Sequence, residues 1–213
     1  MRGARGMAVA GVLVSLLAGC ATVDIQQTRV VTGQITNESG KPVAGTPVVV
    51  MGRTLDLVTT RMEYQERGRK EIRTTTDGQG RYRLEFVPAA LGNNFYLFFY
   101  DKTGFDGVKY RRPEPLDITT LLNRDSQIHV NQVLRLAPAW PEVERQIAFY
   151  GSESDRGKIL QKFGLPEKRE QVGPGGESEV WWYYTDGVSY WFTGGKLTKT
   201  QEFQPVPAAT PPR

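Results

Sequence analysis

The chain has 213 residues, of which 27 are Lys or Arg and 23 are Asp or Glu, a length that suits one ordinary domain or two small ones. No run of Lys or Arg is long enough to suggest nucleic-acid binding, and that class of partner is excluded. Cys20 is the only cysteine, which excludes a disulfide within one chain.

The first 19 residues have the three-part layout of a secretory signal. Arg2 and Arg5 precede an apolar run from Met7 to Leu17, and small residues follow before Cys20. The apolar run is shorter than the ~20 residues needed to span a bilayer. Loss of Arg2 and Arg5 with this segment lowers the 27 basic residues to 25 against 23 acidic ones, so the predicted mature net charge is only +2.

The residues Leu17-Ala18-Gly19-Cys20 resemble the bacterial lipobox, which has leucine three places before cysteine. The resemblance implies that residues 1–19 are a lipoprotein signal peptide and that acylated Cys20 holds the mature protein in membrane lipid. Two or three acyl chains anchor stably, because each buried methylene contributes ~0.8 kcal/mol. Two other interpretations stay open: an ordinary signal peptide with an incidental cysteine, and an uncleaved membrane helix.

Ala21 stands where an aspartate marks inner-membrane retention in many Gram-negative lipoproteins. The resemblance therefore implies the outer membrane, facing the periplasm, with the inner membrane as the second choice. Residues 20–28 are polar and without period, which predicts a tether between the lipid and the fold.

Residues 29–138 carry short strand patterns separated by turn signals, which predicts an antiparallel β-sandwich. The predicted strands are 30–36, 46–51, 71–76, 81–86, 94–100 and 128–136. The almost unbroken apolar run 94–100 predicts a strand buried on both faces. Asp77-Gly78-Gln79-Gly80 predicts a hairpin turn. The polar residues 52–70 predict either an extra strand pair or a mobile loop.

Part of this region resembles the carboxypeptidase regulatory-like domain. The resemblance rests on Val31–Thr36, Gly40, Pro42–Gly45 and Thr76–Tyr82. It implies a transthyretin-like sandwich. Because it concerns an accessory domain and not a metal-binding catalytic domain, it implies no enzymatic activity.

The sequence changes character after Trp140. Residues 139–150 predict a linker with a short helical connection. Residues 152–163 predict a helix capped by Ser152 or Ser154, and three strands follow at 179–185, 188–193 and 196–203. The prediction is a small α+β domain over 151–203, a helix plus a three-stranded meander, in a chain that is mainly β. The Pro/Ala/Thr-rich residues 204–213 predict a disordered tail.

The order of parts in residues 151–203 resembles the SmpA/OmlA (BamE-like) outer-membrane assembly lipoproteins. The residues that carry the resemblance are Gly151, Ser154, Phe163–Pro166, Trp182, Tyr184, Tyr190, Phe192 and Gly195–Leu197. It implies an accessory role beside other envelope proteins.

Few residues offer catalytic or metal chemistry. His129 is the sole histidine, and zinc sites draw on several His, Cys or carboxylate ligands, which makes packing or surface exposure the better interpretation. Asp77-Gly78-Gln79-Gly80 supplies one carboxylate where calcium takes six to eight oxygens, so a turn is again the better interpretation. We therefore predict no catalytic residue, no metal, no cofactor and no enzyme.

The aromatic cluster in 179–193 is the most informative feature. Along a strand, Trp181 and Tyr183 face one way, and one face of that strand must pack on the helix. Trp181, Tyr183 and Trp191 are then predicted to form a second aromatic face. This face either binds a partner or ligand, as interface hot spots do, or covers another part of the chain.

Taken together, the sequence predicts a lipid-anchored envelope protein that acts as a non-enzymatic binding or accessory module for other envelope proteins. The alternative is a glycan- or peptidoglycan-binding lipoprotein that uses the same aromatic residues. A third hypothesis, an unrecognised hydrolase, predicts that alanine at His129 changes the phenotype.

Overall fold

The computed structural model describes residues 25–173 and 175–206. The predicted signal peptide 1–19, the lipidation residue Cys20, most of the tether and residues 207–213 of the predicted tail lie outside this range. None of the helices within it is long and apolar enough to cross a bilayer.

The N-terminal region consists of eight strands and two short helices. They are β1 (Arg29–Asn37), β2 (Pro47–Val58), β3 (Glu63–Thr75), β4 (Arg81–Phe86), α1 (Pro88–Leu91), β5 (Asn94–Phe98), β6 (Leu116–Asp117), α2 (Thr119–Arg124), β7 (Gln127–His129) and β8 (Gln132–Leu134). One sheet has the order β4-β1-β7, with β8 also paired to β1, and the other has the order β3-β2-β5-β6.

Alternate side chains of the two sheets share one core, and the region is a β-sandwich. From β4 the core receives Tyr82, Leu84 and Phe86, and from β5 it receives Phe95 and Leu97. Each such side chain contributes about 1.5–3 kcal/mol when fully buried. The pairs within the second sheet are antiparallel, but β1 is parallel to both β7 and β8, so the prediction of a fully antiparallel sandwich needs this correction.

Strand β5 corrects a second prediction. Phe95 and Leu97 are at most 2% exposed, whereas Tyr96 and Phe98 on the other face are only half-buried. The strand is therefore buried on one face, because no second layer formed by residues 25–173 and 175–206 covers the outside of its sheet. The unbroken apolar run was a misleading sign of two-sided burial.

Asp77 forms a turn, as predicted, but the turn is not a hairpin. Strands β3 and β4 on either side of it belong to different sheets. The Asp77 carboxylate accepts hydrogen bonds from the amides of Gln79 (2.8 Å) and Arg81 (2.9 Å), and these bonds hold its pKa below the usual value. Gly80, between Gln79 and Arg81, has φ 71°. The carboxylate that suggested a calcium ligand thus fixes the corner between the two sheets.

The C-terminal region is α+β. Its elements are α3 (Trp140–Tyr150), α4 (Asp155–Phe163), β9 (Lys168–Val172), β10 (Ser178–Tyr183), β11 (Val188–Thr193) and β12 (Lys196–Glu202). The strands form an antiparallel sheet of order β12-β11-β10-β9, and the two helices pack on one of its faces. The cap of α4 is as predicted, since the Ser154 hydroxyl accepts a hydrogen bond from the Gly157 amide at 3.0 Å.

Two predictions for this region were wrong. Residues 139–150 are not a linker but helix α3, whose Val143 is 1% exposed in the second core. The sheet has four strands and not three, because 168–172 adds β9 beside β10. The sequence KREQV shows only a weak strand pattern, and main-chain pairing with β10 outweighs it.

Candidate ligand-binding surfaces

Two of the three predicted partner-binding aromatics are buried. Trp181 is 0% exposed and Tyr183 is 1% exposed, on the face of β10 that packs against α3 and α4. The Trp181 ring centroid lies 5.7 Å from that of Tyr150 on α3, and the Tyr183 centroid lies 5.3 Å from that of Phe163 on α4. The predicted alternation along the strand is present, but the helices cover the opposite face from the one expected. For these two residues the packing interpretation holds.

A largely buried charged network lies beside Trp181. Arg156 of α4 lies over its ring at 5.9 Å and over the ring of Phe192 at 5.2 Å. The same guanidinium forms an ion pair with Glu179 at 2.6 Å, in which the two side chains are 20% and 11% exposed. Tyr183 donates its hydroxyl hydrogen to the Gly164 carbonyl at 3.0 Å, and burial raises the pKa of that hydroxyl. Trp181, Tyr183 and the rings packed against them thus form a structural unit inside the C-terminal region.

Trp191 lies on the opposite face of the sheet and is half-buried. With Trp182, Tyr184 and Phe203 it forms what we call the outer aromatic face. The rings of Trp182 and Tyr184 are stacked, with centroids 5.8 Å apart and planes 11° apart. The Trp182 indole N–H donates to Glu170 at 2.8 Å. Lys168 and this indole hold the pKa of Glu170 below its usual value.

A second candidate surface was not predicted. The outside of sheet β3-β2-β5-β6 forms an open groove of two adjoining cavities, of about 480 and 460 Å³, that share three lining residues, Met51, Arg69 and Phe98. Its floor consists of Val49, Met51, Tyr96, Phe98 and Tyr100. We call this surface the groove.

The rim of the groove is basic. Its cations are Arg53, Arg69, Arg73, Lys102 and Arg112, and its carboxylates are Glu71 and Asp101. Three of the cations form ion pairs: Arg53 and Arg69 share Glu66 (2.6 and 3.0 Å), and Arg73 pairs with Glu71 (3.2 Å).

Lys102 and Arg112 have no ion pair among the described residues. The Arg112 guanidinium lies 5.7 Å from the centre of the Tyr100 ring. The groove therefore presents two free positive charges beside an aromatic floor.

Asp101 forms no ion pair with either cation among the described residues, and its carboxylate instead binds the amides of its own turn. Its Oδ1 accepts hydrogen bonds from the amides of Gly104 (2.6 Å) and Thr103 (2.9 Å). These bonds, and the nearby charge of Arg73, hold the pKa of Asp101 below the usual value. An anionic group entering the groove would therefore meet Lys102 and Arg112 first.

His129 lies on the exposed side of β7, where its Nδ1 is 3.3 Å from the Thr32 hydroxyl oxygen. Within residues 25–173 and 175–206, no three His, Cys, Asp or Glu side chains are grouped closely enough to hold a metal ion. The contact that the structure gives the His129 ring is thus a hydrogen bond at the surface, to Thr32.

The groove had a signal in the sequence. In a strand with Phe95, Leu97 and Phe99 toward a core, Tyr96, Phe98 and Tyr100 must point the other way. Three aromatics on one face of a strand are a candidate binding surface where that face is left uncovered, but the prediction of burial on both faces concealed this. The arginines that complete it come from β3 and from the loop after residue 100, which strand periodicity alone does not bring together.

Comparisons with known proteins give only distant structural matches. No protein-family model matches the chain, and no curated protein matches it. A streptococcal ancillary pilin is 14% identical over 51% of this chain and 32% of its own, with a TM-score of 0.32. BcpA, the major pilin subunit of Bacillus cereus, is 16% identical over 52% of this chain and 31% of its own, with a TM-score of 0.33.

A 3-chlorocatechol 1,2-dioxygenase from Rhodococcus opacus 1CP is 13% identical over 53% of this chain and 61% of its own, with a TM-score of 0.29. The chain thus spans about a third of the length of the two pilins that it matches. Pilin subunits and a dioxygenase appear at nearly the same similarity, so these matches do not distinguish an enzyme from a structural protein.

Proposed function

We propose that this chain is a non-enzymatic binding module, anchored through acylated Cys20 in the bacterial envelope, whose groove takes an extended acidic segment of another envelope protein. The observation that carries the proposal is the pair of unneutralised cations, Lys102 and Arg112, beside the aromatic floor of the groove. A ligand with carboxylates spaced along an apolar chain satisfies both features.

The chemistry of the groove favours a protein ligand. Tyr and Arg are the side chains most enriched at energetic centres of protein interfaces, and both line this surface. The rim charges attract an acidic segment during encounter, while the rings supply contact area at low entropic cost. Each of the two cavities, at about 480 and 460 Å³, lies within the ~300–1,000 Å³ range of ligand pockets, so together they accommodate several residues.

The two family resemblances support the same class of function. A transthyretin-like sandwich of the carboxypeptidase regulatory-like type is an accessory domain. The BamE-like order of parts in the C-terminal region points to partners in outer-membrane assembly. The proposed address is accordingly the periplasmic face of the outer membrane.

The groove is tested by photocrosslinking in intact cells from a benzoylphenylalanine placed at Met51. We expect it to capture an envelope protein that is not captured from a control probe at Arg83, an exposed residue of the other sheet. Phe98→Ala removes a ring from the floor and is expected to abolish the capture. Equal capture from both probe positions, or capture that survives Phe98→Ala, would contradict the proposal.

The anchor is tested separately with Cys20→Ala. The variant is expected to lose metabolic labelling with palmitate and to leave the outer-membrane fraction, since the acyl chains supply the anchoring energy. Labelling of Cys20 together with recovery in the inner membrane would keep the anchor and overturn the address.

One observation favours the alternative, a glycan or peptidoglycan ligand. Trp182 and Tyr184 on the outer aromatic face are nearly parallel, stacked rings, and flat aromatic surfaces of this kind can stack against sugars. Calorimetric titration with soluble peptidoglycan fragments tests this alternative. It requires heat of binding that Trp182→Ala abolishes and Phe98→Ala leaves unchanged.

A further inference from the structure

A β-ribbon projects from one end of the sandwich. Strand β5 pairs with β2 only as far as Arg53, opposite Asn94, and the Asn93 side chain then bonds both the amide and the carbonyl of Leu55 at 2.9 Å. Among the described residues, β2 then pairs with β3 alone, and this pairing continues to Val58, opposite Glu63. The five residues after Arg53 extend the ribbon by about 17 Å. We call residues 54–66 the ribbon.

Three exposed apolar side chains lie at the tip of the ribbon, among polar neighbours that include Arg61 and Glu63. Leu57 and Tyr64 lie directly opposite each other and are 46% and 72% exposed, and Met62 in the connecting turn is 77% exposed. Met62 also has a left-handed backbone, with φ 53°. Burial of such a side chain contributes about 1.5–3 kcal/mol, and these exposed side chains gain little of that free energy within the chain. Clustered exposed apolar side chains mark contact sites on soluble domains.

The chain enters the sandwich at the end from which the ribbon leaves it. The Ile25 carbonyl accepts a hydrogen bond from the Ala89 amide of α1 at 3.0 Å. Helix α1 in turn packs against β2 at Gly52, and the Asn93 amide just after it donates to the Arg53 carbonyl at 3.0 Å. Strand β8, which leads to the C-terminal region, pairs with the opposite end of β1.

The distance from the sandwich to the proposed anchor is at most about the length of the ribbon. Four residues separate Ile25 from Cys20, and their fully extended length limits this separation to about 17 Å. With Cys20 acylated, this end of the sandwich is therefore held within about one ribbon length of the bilayer. Tyr is enriched at membrane interfaces, where its ring and hydroxyl meet apolar and polar surroundings respectively.

We infer that the ribbon tip is a second membrane contact: Leu57, Met62 and Tyr64 lie in the interfacial region of the same bilayer that holds Cys20. This inference rests on the proposed anchoring at Cys20. Two contacts at one end fix the orientation of the sandwich, with the ribbon against the membrane and the C-terminal region directed away from it. A single acylated residue on a tether leaves that orientation free.

The test uses the full lipidated chain, purified from membranes into nanodiscs of phosphatidylethanolamine and phosphatidylglycerol. A nitrobenzoxadiazole fluorophore is attached at Leu57→Cys or, as the matched control, at Val133→Cys. The two side chains are 46% and 50% exposed and lie at opposite ends of the sandwich. Acylation of Cys20 leaves the introduced thiol as the only reactive one.

The expected result is blue-shifted emission at position 57 and loss of most of its fluorescence to nitroxide-bearing lipids, with neither change at position 133. Tyr64→Ser in the Leu57→Cys background is expected to weaken the quenching. Equal spectra at both positions would show that the tip stays in water or needs a protein partner, and would overturn the inference. Acylation is read independently from the mass of the N-terminal peptide, so an unmodified Cys20 overturns the anchor, whereas acylated Cys20 with an unquenched probe overturns the ribbon contact alone.

Discussion

Strands β5 and β10 each carry three aromatic residues, and the structure uses them differently. On β10, helices cover Trp181 and Tyr183, and Arg156, one of two arginines over the Trp181 ring, has a carboxylate partner. On β5, no layer covers Tyr96 and Phe98, and Arg112 at the same surface has no ion pair among the described residues. An aromatic row whose rings are covered by helices is structural, whereas an uncovered row with a cation that lacks an ion pair beside it is a candidate for binding.

The largest effect expected from this comparison is on stability. Trp181→Ala removes the largest fully buried side chain, and we expect it to lower the free energy of unfolding by about 3–5 kcal/mol. Denaturant unfolding followed by circular dichroism measures this loss. Trp182→Ala, one residue along and on the other face, is the matched control and is expected to cost less because its ring is only half-buried. Equal losses would remove the distinction between the two faces.

The ion pairs give a smaller contrast. Glu179→Gln leaves Arg156 largely buried without its partner, and we expect a loss of about 2–3 kcal/mol, at the low end for buried pairs because both side chains keep some solvent contact. Glu71→Gln breaks the Arg73 pair at the groove, whose side chains are 58% and 45% exposed, and is expected to cost less than about 1 kcal/mol. Chemical unfolding of the two variants side by side tests the difference, and similar losses would contradict it.

The sequence predicted most of the local structure. The strand pattern located β4, and the Ser154 cap located the start of α4. The segment 52–70 is largely paired strand, but it lengthens β2 and β3 and does not form the separate strand pair that was one of the two predicted alternatives. The predictions of β4 and α4 succeed because they depend on contacts between residues close in the chain.

The errors come from contacts between distant segments. Alternation places Trp181 and Trp182 on opposite faces of β10 but does not tell which face the helices cover, and the wrong choice assigned Trp181 and Tyr183 to a binding surface. Similarly, Asp77 and Gly80 mark a turn, but whether the flanking strands pair or separate into two sheets depends on β1 and β2. The groove needs Arg112 beside Tyr100, and only the tertiary fold brings them together.

The pH dependence of stability should distinguish Asp101, whose charge serves its own turn, from the groove cations that face a ligand. Two amides hold the pKa of Asp101 below its usual value of 3.8, so its ionised form stabilises the fold above that pH and the contribution is lost as the pH falls through the lowered pKa. Asp101→Asn is expected to cost about 1 kcal/mol at neutral pH. It should also reduce the loss of stability on acidification. Unfolding midpoints at neutral and strongly acidic pH check both effects, and an unchanged acid dependence would show that the turn does not need the charge.

The smallest effect on stability is expected where the effect on function is largest. Arg112→Gln removes a charge that makes no ion pair among the described residues, so the free energy of unfolding should change by less than about 0.5 kcal/mol. Capture of the partner from the Met51 probe should nevertheless fall by about tenfold, since interface arginines often contribute over ~1 kcal/mol to binding. Arg83→Gln, on the other sheet, is the charge-matched control and should leave capture unchanged. If both variants reduce capture equally, the partner responds only to net charge; if neither does, the free arginine beside an uncovered ring has no role in binding, and the criterion drawn from β5 and β10 fails.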